Sequence, residues 1–140
     1  MFWTATITFA LIFGSALAWA WLALRWRHER ITRHDHEIER RMAVVANYLR
    51  AHPKDAAAHL RMGLLRRHHG DRRGAVLELE RTVELAPDMT EAHYHLGAAR
   101  QRVGDRRGAE NEYRWVLLYS EDPYYRTAAR GGLLALRRAA

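Results

Sequence analysis

The sequence predicts an all-α protein: one N-terminal transmembrane helix, then an α-solenoid domain of helical hairpins. Three observations predict it. Residues 2–24 hold no ionisable side chain, although the 140-residue chain carries 23 Lys+Arg and 16 Asp+Glu. The stretch from His59 to Ala75 aligns without gaps to the stretch from His93 to Ala109, so the sequence repeats itself at a fixed offset. Both copies contain the run GDRRGA, which reads as a helix stop followed at once by a helix start.

Composition narrows the chemistry. With no cysteine there is no disulfide framework, CxxC redox pair, thiolate metal site or c-type haem attachment. The net charge of +7 lies entirely after Leu24, and Lys54 is the only lysine. No GxSxG, P-loop, GxGxxG or HExxH motif is present, and Ser15 and Ser120 are the only serines. The reading is a non-enzymatic protein with no cofactor.

Taken in order, residues 2–24 come first. As a helix they span roughly 34 Å, enough to cross a hydrocarbon core of about 30 Å. Trp19, Trp21 and Trp26 at one end, and Phe2 and Trp3 at the other, suit the two membrane interfaces. A cleaved signal peptide ending at Ala16-Leu17-Ala18 is the rival reading, but no basic residue precedes the apolar run and the run continues past Ala18. Arg25, Arg27, Arg30 and Arg33 follow it, where they meet lipid headgroups and hold the C-terminal part in the cytoplasm. The expected topology is N-out, C-in, in a bacterial inner membrane. Thr6, Ala10, Gly14 and Ala18 recur at every fourth position, a small-residue face on which a partner transmembrane helix packs closely.

Residues 25–54 read as a juxtamembrane segment and an N-capping helix, Ile31 to Ala51, with Met42, Val45, Tyr48 and Leu49 as its apolar stripe. Residues 55–140 form the repeat domain, with units at about 56–89 and 90–123 and a capping helix at 124–139. In each unit Gly70 or Gly104 suits the left-handed position after the first helix, and Asp71 or Asp105 caps the second. Gly63 and Gly97 lie inside the first helices, where they cost about 1 kcal/mol against Ala unless a neighbour must approach closely. Ala75, Val76, Leu79 and Val83 mark one buried stripe, and Ala109, Tyr113 and Val116 the next. Pro53 and Pro87 end second helices; Asp55, Thr90 and Asp122 are the expected caps of the following ones. Gly131 follows Gly97 at the same interval as Gly97 follows Gly63, and so keeps the phase into the last helix.

These residues resemble the tetratricopeptide repeat family, whose unit has the same period of about 34 residues. Met62-Gly63 and Leu96-Gly97 stand at its Leu-Gly position, Ala75 and Ala109 at its second-helix Ala, and Pro87 at its terminal Pro. His59 and His93 replace its usual Trp, and Arg66 and Arg100 its Tyr. The resemblance implies a groove lined by first helices that holds a protein partner's peptide or helix. By position the groove takes Leu60, Leu64, Arg67 and His68 from the first unit and Tyr94, Ala98, Gln101 and Arg102 from the second. In this alignment Leu60, Leu64, Tyr94 and Ala98 replace the Asn positions of the family's chaperone-tail clamp, so an amphipathic or acidic segment is the expected ligand.

The histidines offer no metal site in this reading, because i,i+2 neighbours such as His93 and His95 point about 200° apart on a helix. The arginines lack the aromatic interleaving of a nucleic-acid module. The function expected is a membrane-anchored scaffold that recruits a protein partner, in assembly of a membrane complex. The alternatives are a constitutive accessory subunit of a membrane enzyme and, third, an anionic-lipid or nucleic-acid binder.

Overall fold

The computed structural model describes residues 19, 21–25 and 35–138, and all regular structure among them is helical. The chain divides into two compact units, Met1–Glu37 and Ile38–Ala140. In the first, the Arg25 guanidinium lies 5.4 Å from the Trp21 ring centre, a cation–π distance. Among the described residues no helix is long and apolar enough to cross a membrane. Most of the expected span at 2–24, including Thr6, Ala10, Gly14 and Ala18, lies outside the described residues, as do Arg27, Arg30 and Arg33.

The second unit holds residues 38–51 of α1 (35–51), then α2 (Ala56–His69), α3 (Arg72–Leu85), α4 (Thr90–Val103), α5 (Arg106–Tyr119) and α6 (Pro123–Arg138). Short turns join them, so successive helices run antiparallel. The first helices of the hairpins are α2 and α4, each followed by its second helix, α3 or α5. In α1, Ile38 and Val45 are buried, Met42 and Leu49 half-buried, and Tyr48 is exposed. The stripe thus starts at Ile38 and leaves the Tyr48 ring outside; its hydroxyl donates to Asp55 at 3.0 Å.

The run GDRRGA can be explained atom by atom. Gly70 and Gly104 adopt φ of 90° and 87°, the left-handed region in which a Cβ is strained. Asp71 and Asp105 accept from the Gly74 and Gly108 amides at 2.8 and 2.9 Å, satisfying free N–H groups of α3 and α5. The amide of Gly74 and the Arg66 guanidinium hold the Asp71 carboxyl below the usual carboxylate range. Gly74 and Gly108 leave room for those carboxylates, where a Cβ would collide with them. Ala75 and Ala109 are fully buried between helices. The two arginines between are exposed, at the positive end of a helix dipole that disfavours each by about 0.3–1 kcal/mol.

Two of the expected caps hold: Asp55 accepts from the Ala58 amide at 3.0 Å and Asp122 from the Tyr124 amide at 2.8 Å. Thr90 does not cap α4. In the repeat register the place of Asp55 falls on Met89, which has no side-chain acceptor, so Thr90 is the first helical residue instead.

The core explains the helical glycines. A Cβ on Gly63 would lie 2.8 Å from Leu79 Cγ of α3, and one on Gly97 would lie 2.9 Å from Tyr113 Cε1 of α5. The other edge of the Tyr113 ring faces α6, where a Cβ on Gly132 would lie 2.5 Å from Cε2 and Cζ. Tyr113 is therefore gripped by glycines from two helices. Leu79 packs with Leu60, Leu96 and Ala99; Tyr113 packs with Ala109, Val116, Ala129 and Leu136.

This geometry corrects the phase of α6. Gly131 is exposed, with nothing within 4 Å of a Cβ built on it, so the close-approach glycine is Gly132. A register shortened by one position at the last helix puts Gly132 in the place of Ala99, which packs with Leu79. His59 and His93 each hold a proline carbonyl from the preceding turn, Pro53 at 3.1 Å and Pro87 at 3.0 Å. Arg126, the counterpart of His93 in the shortened register, donates to the Ser120 carbonyl at 3.0 Å and to that of Leu117 at 2.7 Å. The place of Gly63 and Gly97 then falls on Arg130, which is exposed.

Paired substitutions test the register. Gly132→Ala forces a methyl against a fixed ring and is expected to cost about 1–3 kcal/mol, read as a lower midpoint of thermal unfolding. Gly131→Ala gains helix propensity in open space and is expected to add about 0.5–1 kcal/mol. Equal effects from both would contradict the shifted phase.

Candidate protein-binding face

The first helices carry the candidate site, and the expected residues divide by burial. Leu60 is 8% exposed and packs in the core with Leu79 and Leu96, so its side chain is not available to a ligand. Its alignment with Tyr94 is correct, but both positions turn partly toward the neighbouring helices. Tyr94 is half-buried, its ring centre 6.2 Å from Tyr113 and 5.7 Å from Tyr125. Leu64, Arg67, Ala98 and Gln101 are half-buried, and His68 and Arg102 are exposed. Gln101 is tied down by the Tyr113 hydroxyl, which donates to its Oε1 at 2.9 Å. Burial pushes the Tyr113 phenol up to about 12, so it stays a donor at any ordinary pH.

The contact that joins the two repeats on this face is one the sequence reading missed. Arg67 Nη1 of α2 lies 3.2 Å from His95 Nδ1 of α4. A guanidinium has only donors, so His95 accepts at Nδ1 and is neutral. Burial, and then the Arg67 charge, lower its pKa to about 4. The half-exposed Glu91 carboxylate is 3.7 Å from Nε2, too distant and too wet to reverse that. His95 follows Glu91 by four positions and precedes Ala98 by three, the spacing that puts them on one helix face. That spacing was the available signal. Arg61, the counterpart of His95 in the first unit, is exposed.

Behind this face lies a repeated polar lock between first and second helices. His93 Nδ1 meets Glu112 Oε2 at 2.7 Å, and Arg100 bridges Glu112 and Glu80 at 2.7 and 2.9 Å. Trp115 stacks on the His93 ring at 3.6 Å and 13°. In the first unit His59 meets Glu78 at 2.8 Å, and Arg66 reaches Asp71 at 2.8 Å and Glu78 at 3.4 Å. Both ring nitrogens of His59 and of His93 are thus engaged by protein oxygens. Their role is structural. Among the described residues no three metal-ligating side chains converge.

The neutral His95 gives the fold a pH dependence with a fixed sign. Between about pH 4 and its ordinary value of 6.5 the unfolded chain binds a proton here that the folded chain does not. Its contribution is complete above 6.5 and is lost as pH falls toward 4, by roughly 3 kcal/mol at most. Denaturant unfolding of the wild type and His95→Gln at neutral pH and at about pH 4.5 is expected to show the variant losing less stability. An equal loss in both would contradict the assignment.

No family model matches the chain, and no curated protein does. Solved structures do match. A thermophilic tetratricopeptide repeat protein of Thermus thermophilus superposes with a TM-score of 0.63 and 26% identity over 69% of this chain. This chain spans half the length of that protein. The first tetratricopeptide domain of Spaghetti (RPAP3), bound to the HSP90 peptide SRMEEVD, superposes with a TM-score of 0.64 over 72% of this chain and 81% of that one, at 18% identity. The hairpin array of this protein has the tetratricopeptide-like fold.

Proposed function

We propose that this protein is a non-enzymatic scaffold whose first-helix face holds an acidic or amphipathic segment of a protein partner. Tetratricopeptide proteins are in general protein-interaction modules, and one of the similar structures holds a peptide. The observation that carries the reading is the α2–α4 face itself. It combines the Arg67–His95 pair, exposed Arg102, and the small or apolar Ala98 and Leu64, with Glu91 beside His95; exposed Arg61 stands nearer Asp55 and α1. Cationic donors around an apolar floor complement a carboxylate-bearing segment.

The finer reading places the scaffold at a bacterial inner membrane. The uncharged residues 2–24 supply the anchor, and Arg25, Arg27, Arg30 and Arg33 set an N-out, C-in topology. A tether raises the local concentration of both partners, so modest groove affinity suffices for a role in assembling a membrane complex.

Peptide SRMEEVD, which carries three acids, is a suitable probe. Anisotropy titration with the full chain in detergent is expected to show binding that Arg67→Glu weakens about tenfold or more. Arg114→Glu, on the exposed side of α5, is expected to change it far less. If both substitutions act alike, the first-helix face is not where the peptide sits.

A further inference from the structure

The hairpin unit is polarised in charge along its helix axes. Every turn within a hairpin falls on one edge, since α2 and α4 end there and α3 and α5 begin there. Arg72 and Arg73 project from the first of these turns, Arg106 and Arg107 from the second, with Arg102 beside them. The antiparallel α6 brings Arg137 and Arg138 to the same edge. All seven are exposed, and among the described residues none has an ion-pair or hydrogen-bond partner for its guanidinium. The two aspartates at the hairpin turns are committed, Asp71 to Arg66 and the α3 cap and Asp105 to the α5 cap, and Glu39 at the start of α1 is engaged as well. The opposite edge carries Asp88, Glu91, Glu121 and Asp122.

Folding does not account for these arginines. In GDRRGA the glycines, the aspartate and the alanine each have a structural task, whereas the Arg pair sits where the helix dipole repels it. Both copies of the repeat nonetheless carry it. From this placement we propose that the hairpin-turn edge docks on an anionic phospholipid surface. Arginines at the tips of helices packed about 10 Å apart present a row of bidentate phosphate donors to a plane. The exposed aromatics Tyr119 and Tyr124, at the end of α5 and the start of α6, lie at the other edge. Among the described residues of the second unit, no exposed Trp, Tyr or Phe stands at the basic edge as a stacking platform of the kind single-stranded nucleic acid uses. Ile38 lies at the basic edge too, because α1 runs antiparallel to α2, with Val44 and Val45 beside Ala58 and Arg61. The chain before it holds four more arginines, Arg25, Arg27, Arg30 and Arg33, and the uncharged 2–24 stretch.

The native chain has no cysteine, so single labels report position cleanly. Full-length Val103→Cys, at the basic edge, and Asp88→Cys, at the acidic edge, receive a fluorophore and are reconstituted in nanodiscs doped with a headgroup quencher. Replacing roughly a third of the phosphatidylcholine by phosphatidylglycerol is expected to raise quenching of the Val103→Cys label at least about twofold. The Asp88→Cys label is expected not to respond, and about 0.5 M salt is expected to abolish the gain. Combined Arg72→Gln, Arg73→Gln, Arg106→Gln and Arg107→Gln is expected to lose the gain while melting at the same temperature or higher. A response equal at both edges, absent in the wild type, or retained at high salt overturns the proposal. So does a wild type that ignores anionic lipid but binds an oligonucleotide through these arginines. Flotation with phosphatidylcholine vesicles alone reads the anchor, and titration with SRMEEVD reads the first-helix face, so failure of either is distinguishable from failure of the edge.

Discussion

The contact on which the rest depends is a bulky second-helix side chain pressed against glycine. Leu79 against Gly63, and Tyr113 against both Gly97 and Gly132, set how closely the helices approach. Those glycines cost helix propensity, which burial of the two side chains offsets, since Leu79 is 0% and Tyr113 2% exposed. Close approach in turn brings His93 within reach of Glu112, and Arg100 within reach of Glu80 and Glu112. The polar lock is a consequence of the apolar fit and rigidifies the second-helix side. A half-buried network of this kind is costly to disturb because nearly all of its polar atoms are partnered, Arg66 Nε being the exception among the described side chains.

With the second helices tied to the first by the polar lock, the first-helix face keeps one contact that a ligand can exchange. The Arg67–His95 pair spans the two repeats and holds neutral imidazole beside a cation. Such a pair is poised to exchange a weak neutral acceptor for a ligand carboxylate, which is the stronger partner of a guanidinium. Arg130 takes the glycine place in α6, and Gly132 brings that helix close to the Tyr113 ring.

Much of this was legible in the sequence because it rests on local rules. The left-handed glycines, the Asp71 and Asp105 caps and the close-approach role of Gly63 and Gly97 all follow from spacing and residue type. What was not legible depends on shifts of a single position. Thr90 has a capping side chain, yet the register assigns the cap to Met89. Gly131 keeps the repeat phase, yet a connection shorter by one position puts Arg130 in its place and Gly132 in that of Ala99, against the Tyr113 ring. On the binding face, repeat position alone drew attention to Leu60 and Tyr94, whereas tertiary packing buried Leu60 and brought His95 to Arg67. Moving one position along a helix turns a side chain by about 100°, enough to exchange core for surface.

The unit thus has three different sides: a locked second-helix side, an unspent first-helix side and a charge-polarised pair of edges. Amide hydrogen exchange of the full chain, with and without saturating SRMEEVD, tests the central claim most directly. Slowed exchange confined to α2 and α4, with α3 and α5 unchanged, is the expected result. Protection confined to α3 and α5 would contradict a first-helix binding face.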